Sequence, residues 1–410
     1  MSSGWDVFWF IVLPVFLVLA VVVYSLWRRH KGVTSAPSRE DSYLRGLDFL
    51  IYDQRDKAIR ELTDATLRNT DDVAAYISLG NLHREQGNID RAIRIHESVS
   101  IRPNLSSEAR VRALYSLGLD YVRGGLLDRA QVALSKAINE DPDHVQSYES
   151  LERIHEEMRD WKAAYECQIE LDKRAKKKSS RLLAYLLTEM ARSEAMQNKR
   201  PKDAILLLQK AKQTDPTCIS VPMYLGDVYL AQGDFKKAEH VWEEAVDKFP
   251  RLAFLLFERL RQVYLKQDSV RNIKGIYETV LAKNPDDIDT RASLGDYYFD
   301  TGQLDKAREE YEKILELSST STVGYQKLSQ VYLKEGMLEE AVKVLLRMST
   351  LPELQSIYYF CGKCGFKDTQ IHWRCPQCRE WDTFVQEIEK RRGVAPRPRN
   401  ERSNGKEDAR

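Results

Sequence analysis

Tyr224-Leu225-Gly226, followed by Tyr229, Gly233, Ala238, Trp242, Ala245 and Pro250, is the stretch that decides how this chain folds. A Leu-Gly pair and a Tyr lie on one helical period, an Ala and an aromatic on the next, and a Pro closes the unit. This is the pattern of a 34-residue helix–turn–helix repeat. Each position has a physical role. Gly226 lets two helices approach, and Ala238 and Ala245 are small knobs at the crossing. Tyr229 and Trp242 fill the space between the helices, and Gly233-Asp234 makes the turn. One such hairpin cannot bury its own apolar face, so neighbours of the same kind are expected.

They are present. With Gly226 as the anchor, the same slot recurs at Gly46, Gly80, Gly118, Glu152, Arg192, Arg261, Gly295 and Ser329, at intervals of 34, 38, 34, 40, 34, 35, 34 and 34 residues. Twelve residues after the nine anchors stand Ala58, Ala92, Ala130, Ala164, Ala204, Ala238, Ile273, Ala307 and Ala341. Closing prolines occur at Pro142, Pro216, Pro250 and Pro285. A helical bundle with accidental Ala–Gly spacing would not repeat so regularly. The units resemble tetratricopeptide repeats, with the fourth, fifth and seventh degenerate and lacking the glycine, and Ser329 in its place in the ninth.

The chain of 410 residues has 63 Lys and Arg against 62 Asp and Glu, with 43% hydrophobic and 30% charged residues. That balance argues against a nucleic-acid binder, which needs a basic face to displace counterions. Four of the six cysteines fall within eighteen residues, unlike the even scatter of a secreted disulfide scaffold.

Val7 to Leu26 carries no charge and is bounded by Trp5 and Trp27. As a helix it would span about 30 Å, the thickness of a bilayer core. Trp5, Trp9, Tyr24 and Trp27 sit where amphipathic rings prefer the headgroup layer, and Pro14 is tolerated in a lipid-buried helix. A cleaved signal peptide would want a positive start and small residues at a cleavage site. Met1–Asp6 and Leu26-Trp27-Arg28 offer neither. The reading is an uncleaved transmembrane helix over 5–27. Arg28, Arg29 and Lys31 then place the bulk of the chain in the cytoplasm and the N-terminus in the periplasm. Residues 28–42 read as a linker, and about nine repeats run over 43–351.

In such arrays the first helix of each unit lines a concave face. One residue past the anchors, Asn81, Leu119, Asp227, Gln262, Asp296 and Gln330 are candidates for holding a partner peptide, although solvated helix faces look the same. The run Lys173-Arg174-Ala175-Lys176-Lys177-Lys178, followed by Arg181, reads as a solvated helix end with an inserted turn, or else as a contact for anionic lipid. Cys167 and Cys218 read as small buried hydrophobes.

After Pro352 the periodicity changes. The β-prone run Ile357-Tyr358-Tyr359-Phe360 leads into Cys361-Gly-Lys-Cys364-Gly365 and, ten residues on, Cys375-Pro-Gln-Cys378. Two Cys-x-x-Cys knuckles aim four thiolates at one centre, a tetrahedral site for a single zinc or iron ion, with Cys361, Cys364, Cys375 and Cys378 as ligands. Disulfides fit poorly in a reducing cytoplasm. His372 is redundant where four Cys close the shell. The metal is read as structural, and its loss is expected to loosen the end of the solenoid. Residues 391–410, with Pro396 and Pro398 and almost nothing apolar, are expected to be disordered.

The order of parts resembles the lipopolysaccharide assembly protein B family. The signature is Tyr359-Phe360-Cys361-x-x-Cys364-Gly365-Phe366, then Trp373-x-Cys375-Pro376-x-Cys378-x-x-Trp381. Arg379 stands where rubredoxins usually have Gly, which weighs against electron transfer more than against metal binding. The resemblance implies an all-α fold: a tetratricopeptide-repeat superhelical solenoid with an N-terminal transmembrane helix and a small rubredoxin-like module over 357–388 that packs on the repeats. It favours iron at the four cysteines, with zinc possible. It implies a non-enzymatic adaptor in the bacterial inner membrane that promotes degradation of the lipid A deacetylase LpxC by the FtsH protease, alongside other lipopolysaccharide-assembly proteins. The alternatives are a rubredoxin-like electron-transfer protein or an assembly chaperone for another envelope complex. No nucleotide-binding Gly loop, H-E-x-x-H or G-x-S-x-G motif is present.

Overall fold

The structure is a computed structural model that describes residues 23–25, 39–176, 178–196, 199–267, 272–351 and 359–386. Apart from 23–25 and 39–42, the expected membrane helix and linker lie outside the described residues, as does the tail 391–410. Among the described residues no helix is long and apolar enough to cross a membrane.

The chain divides into two compact units, Met1–Arg159 and Asp160–Arg410. The first holds α1 (Arg39–Ile51), α2 (Arg55–Arg68), α3 (Val73–Glu85), α4 (Ile89–Ser100), α5 (Ser107–Arg123), α6 (Leu127–Glu140) and α7 (Val145–Glu157). The second begins with α8 (Trp161–Arg174), α9 (Ser180–Met196), α10 (Pro201–Thr214), α11 (Ser220–Ala231) and α12 (Phe235–Lys248). It continues through α13 (Phe254–Lys266), α14 (Asn272–Lys283), α15 (Ile288–Asp300), α16 (Leu304–Leu317), α17 (Thr322–Lys334) and α18 (Leu338–Ser349), and ends in a small β module. Both units are tandem tetratricopeptide hairpins.

Local chemistry starts and stops these helices. Asp72, Ser106, Asp160, Asp234 and Ser321 each accept a hydrogen bond from the backbone N–H three residues on, satisfying one orphan donor of the first turn. Among the described residues the hairpin turn sits seven residues after the anchor and has a left-handed backbone. Gly87, Gly125, Gly233, Gly302 and Gly336 supply it with φ between 73° and 83°, while Asp53, Arg159 and Lys199 adopt φ of 51–58° in the same slot.

The reason for the anchor glycine lies sixteen residues downstream. A Cβ on Gly46 would lie 2.8 Å from Leu62, one on Gly118 would lie 2.7 Å from Leu134, and one on Gly80, Gly226 or Gly295 would overlap His96, Trp242 or Tyr311. All five downstream side chains are fully buried, and Trp242 also donates its indole N–H to Met223 O at 3.0 Å. The glycine is therefore the space that a large side chain of the second helix fills. Ala58, Ala92, Ala130, Ala164, Ala204, Ala238, Ala307 and Ala341 are all fully buried, as the helix crossings require.

In the first unit His96 brings a polar group to that position. Its Nδ1 lies 2.5 Å from Asp120 Oδ2, its Nε2 lies 3.2 Å from Ile77 O, and Arg84 donates to Asp120 Oδ1 at 2.9 Å. In the second unit one large apolar cluster runs from Met223 through Trp242, Leu260 and Tyr277 to Val331.

Candidate metal centre

The module is a three-stranded antiparallel sheet in the order β2-β1-β3, with β1 at Tyr359–Cys361, β2 at Lys367–Asp368 and β3 at Phe384–Gln386. β1 is central, pairing Phe360 with Lys367 on one side and with Val385 on the other. The two knuckles are built alike. Gly365 N–H donates to Cys361 O and Arg379 N–H to Cys375 O, both at 2.9 Å. Cys361 N–H donates to Phe366 O and Cys375 N–H to Glu380 O, both at 2.8 Å. The residue after the second Cys is left-handed in each knuckle, with φ of 77° at Gly365 and 59° at Arg379. Lys363 of the first knuckle pairs with Glu380 beside the second.

These turns bring together the four cysteines singled out in the sequence. Their sulfur atoms all lie within 4.8 Å of one another, with Cys361 Sγ 3.5 Å from Cys378 Sγ and Cys364 Sγ 3.7 Å from Cys375 Sγ. Those separations are far too long for a disulfide bond. They suit a metal: four sulfurs about 2.3 Å from a tetrahedral ion stand about 3.8 Å apart. The donor set therefore fits one zinc or iron ion. Burial pushes the Cys361 thiol up, but the Thr383 hydroxyl at 3.1 Å and the Cys364 and Lys363 amides outweigh it and bring the thiol to about 7. Burial holds the Cys375 and Cys378 thiols above their ordinary value. His372 lies outside the shell, with Nε2 2.8 Å from Asp368 Oδ2 and its ring edge-on to Phe384.

The module packs on the repeats of its own unit. Trp381 stacks on Tyr185 with centroids 5.2 Å apart and meets Trp161 edge-on at 6.5 Å, while Trp373 lies 6.4 Å from Tyr185. Tyr359 stacks on Phe254 at 6.2 Å. Arg181 donates to Asp382 Oδ2 at 3.1 Å and to Asp215 Oδ2 at 3.3 Å. These contacts fall on α8, α9 and α13, so the module sits against the first helices of this unit and against α13. The expectation was that loss of the metal loosens the end of the solenoid; these contacts place the module against helices that precede the last hairpin, α17–α18. Within the basic run, Lys173 and Arg174 pair with Glu170, and Arg181 faces the module.

The six groove candidates differ in their surroundings. Asp227 is held by Arg259 at 2.7 Å, and Asp296 accepts from Tyr311 at 2.7 Å and from Lys327 at 2.8 Å. Gln262 is exposed and donates to Glu258, and Gln330 is exposed. Leu119 is half-buried, and Asn81 Oδ1 is buried with no hydrogen-bond partner among the described residues. Cys218 is buried as expected, whereas Cys167 is only half-buried. The sequence reading missed a second recurring contact: the basic residue eleven after the anchor lies over the aromatic ring three after it. This occurs at Lys57 over Phe49, Arg129 over Tyr121, Lys237 over Tyr229 and Lys306 over Tyr298. Both halves are visible in the sequence once the second helix is aligned on the first.

Known proteins show the same parts. Residues 359–386 match the rubredoxin metal binding domain, and 43–104, 195–253 and 288–321 match tetratricopeptide repeats. Lipopolysaccharide assembly protein B of Escherichia coli (strain K12) is 27% identical over 378 residues, covering 90% of this chain and 96% of that protein. The protein of the same name from Haemophilus influenzae is 23% identical over 393 residues, with the same coverage. Among solved structures, MamA 41-end from Desulfovibrio magneticus RS-1 gives a TM-score of 0.30 at 20% identity, covering 40% of this chain and 93% of that one. The chain, with its tetratricopeptide repeats and rubredoxin-like four-Cys module, is similar over nine-tenths of its length to the lipopolysaccharide assembly protein B of both bacteria.

Proposed function

We propose that the protein is a non-enzymatic adaptor, anchored in the inner membrane and facing the cytoplasm, that tunes lipopolysaccharide synthesis by promoting FtsH-dependent proteolysis of the deacetylase LpxC. The observation that carries this reading is the extent of the resemblance: 96% of lipopolysaccharide assembly protein B of Escherichia coli is matched by 90% of this chain. The uncharged run Val7 to Leu26 and the cations that follow it support the anchor and its orientation.

An adaptor needs surfaces and proximity. The hairpins supply the surfaces, and the anchor keeps them at high effective concentration beside a membrane-bound protease. The metal's part is to hold the shape of the module, so zinc and iron should serve alike.

The experiment is the half-life of LpxC in cells depleted of the native protein. Full-length protein is expected to shorten it with either metal, and a copy lacking Val7 to Leu26 is expected to do so weakly. An unchanged half-life with folded, anchored protein would overturn the reading. Activity with iron but not with zinc would favour electron transfer instead.

A further inference from the structure

The module touches the repeats in an uneven way. Trp161 is the first residue of α8, Arg181 and Tyr185 lie in the opening turns of α9, Tyr224 lies near the start of α11, and Phe254 opens α13. Together they form the strip of the second unit that the module covers. On the module's side, the residues that meet them flank the metal knuckles. Trp373 and Trp381 bracket Cys375 and Cys378, Asp382 follows Trp381, and Tyr359 precedes Cys361 by two. Trp373 packs on Tyr185 and reaches the Tyr224 hydroxyl. Asp382 N–H donates to Trp373 O at 2.7 Å, so the two tryptophans are set by the closure of the second knuckle.

The module has few apolar contacts of its own to hold that geometry without the metal. The buried residues of the module's own cluster are Tyr359, Cys361, Cys375 and Phe384, and two of these are ligands. A 28-residue segment with so small a core depends on its staple. Cys364 is exposed, so the ion is within reach of exchange. On the repeat side the strip does not need the module to persist. Arg181 retains Asp215 and Thr217, and Tyr185 belongs to the α9–α11 core.

We propose that this strip is a docking surface which the chain's own module occupies, and that the metal gates it. With the four cysteines tied, Trp373, Trp381 and Asp382 fill the strip. With the metal removed, it opens to a partner segment presenting an aromatic side chain beside a carboxylate. That chemistry is read from the occupant: Trp381 stacks on Tyr185 while Asp382 pairs with Arg181. The inference goes beyond the adaptor reading, and its readouts involve neither protease nor deacetylase, so either can fail alone.

The test uses full-length protein, chelator-stripped or zinc-reloaded, and a fluorescent peptide copying residues 371–384 with Cys375→Ser and Cys378→Ser. Fluorescence anisotropy is expected to show binding to the stripped protein at least tenfold tighter than to the reloaded one. Arg181→Ala should abolish the difference. Trp381→Ala, with all four ligands kept and one zinc per chain verified, should let the peptide bind in both states. Hydrogen exchange should rise within 180–196 and 254–266 on stripping, with 39–157 unchanged. Equal affinity in the two metal states, binding indifferent to Arg181→Ala, or no binding to stripped protein whose helical circular dichroism is intact would each overturn the proposal.

Discussion

Within the second unit two kinds of hairpin stand side by side. In α11–α12 and α15–α16 a glycine lies under an aromatic ring, Gly226 under Trp242 and Gly295 under Tyr311, and the crossing is closed. In α9–α10 and α13–α14 the anchor slot holds Arg192 and Arg261, with Leu208 and Tyr277 in the position opposite. Arg192 lies over the Tyr224 ring and pairs with Glu189, and Arg261 pairs with Glu258, its side chain half exposed. These arginine hairpins are also the ones that give Tyr185 and Phe254 to the metal module. The two arginine hairpins are braced from outside, and Tyr224 of the closed α11–α12 hairpin adds a contact to Trp373. Degeneracy in a repeat array can therefore mark where another part of the chain is seated.

The most severe way to break this comparison is to remove the brace. Cys375→Ser is expected to lose the bound metal, because binding energy at such sites is also local folding energy, on the order of 10 kcal/mol for structural zinc. Elemental analysis should fall from one ion per chain to near zero. Limited proteolysis should then cut first within α9–α10 and α13–α14, not in α18. Early cleavage in α18 would restore the view that the module supports the end of the array.

The closed crossings are sharpened by paired substitutions. Trp242→Ala should destabilise by about 3–5 kcal/mol, since it empties a fully buried site and removes the indole N–H bond to Met223 O. Gly226→Ala should cost about 1–3 kcal/mol, because the new methyl group overlaps the indole. Arg261→Ala at the equivalent slot should stay within about 0.5 kcal/mol, its side chain facing solvent. Chemical denaturation followed at the transition of the second unit measures all three. A comparable cost for Gly226→Ala and Arg261→Ala would erase the distinction between the two kinds of hairpin.

What the sequence made legible divides along the same line. The anchors, the alanines and the two knuckles recur at fixed spacing, and each repeat is a local solution to local sterics. The large residue sixteen after the anchor was equally periodic, but its chemistry varies from Leu62 to His96 to Trp242. Size rather than type is shared, so a motif reading passes over it. The seat of the module was not legible. Phe254 and Tyr359 are more than a hundred residues apart, as are Tyr185 and Trp381, and no period connects them. Aromatic residues at helix starts read as ordinary core until their partners are placed. Nor was it legible that two of the groove candidates, Asp227 and Asp296, are engaged by Arg259 and Lys327 about one repeat further on.

Acid should act on the braced region through Asp215. Burial raises this carboxyl, but hydrogen bonds from the Thr217 hydroxyl and amide, together with Arg181, outweigh it and hold the group below the ordinary carboxylate range. A lowered folded pKa stabilises the native state at pH values above about 4, the unfolded value, and the contribution is lost as pH falls through the folded one. Stability between pH 7 and 5 should therefore be indifferent to Asp215→Asn as far as titration is concerned. Below about pH 4 the slope of stability against pH should be shallower in the variant than in the parent. An identical acid limb would mean that the Arg181 bridge adds no pH-dependent stability.

The smallest effect expected lies inside the metal module, where its two knuckles can be compared with each other. Gly365 and Arg379 occupy the same position after the second cysteine, with φ of 77° and 59°, and each donates its amide to the first cysteine's carbonyl at 2.9 Å. A non-glycine residue in the left-handed region carries strain of about 1–2 kcal/mol, whereas glycine enters it freely but surrenders more entropy from the unfolded chain, about 0.5–1 kcal/mol. The Arg379 backbone carbonyl also receives the Arg374 guanidinium, a contact that a change of side chain leaves in place. Arg379→Gly should therefore stabilise the metal-loaded module by up to about 1 kcal/mol and slow zinc loss to a chelator by at most about fivefold. The mirror change, Gly365→Arg, should carry the opposite sign and accelerate zinc loss. If both substitutions accelerate it, the Arg379 side chain stabilises the knuckle by more than its backbone strain costs.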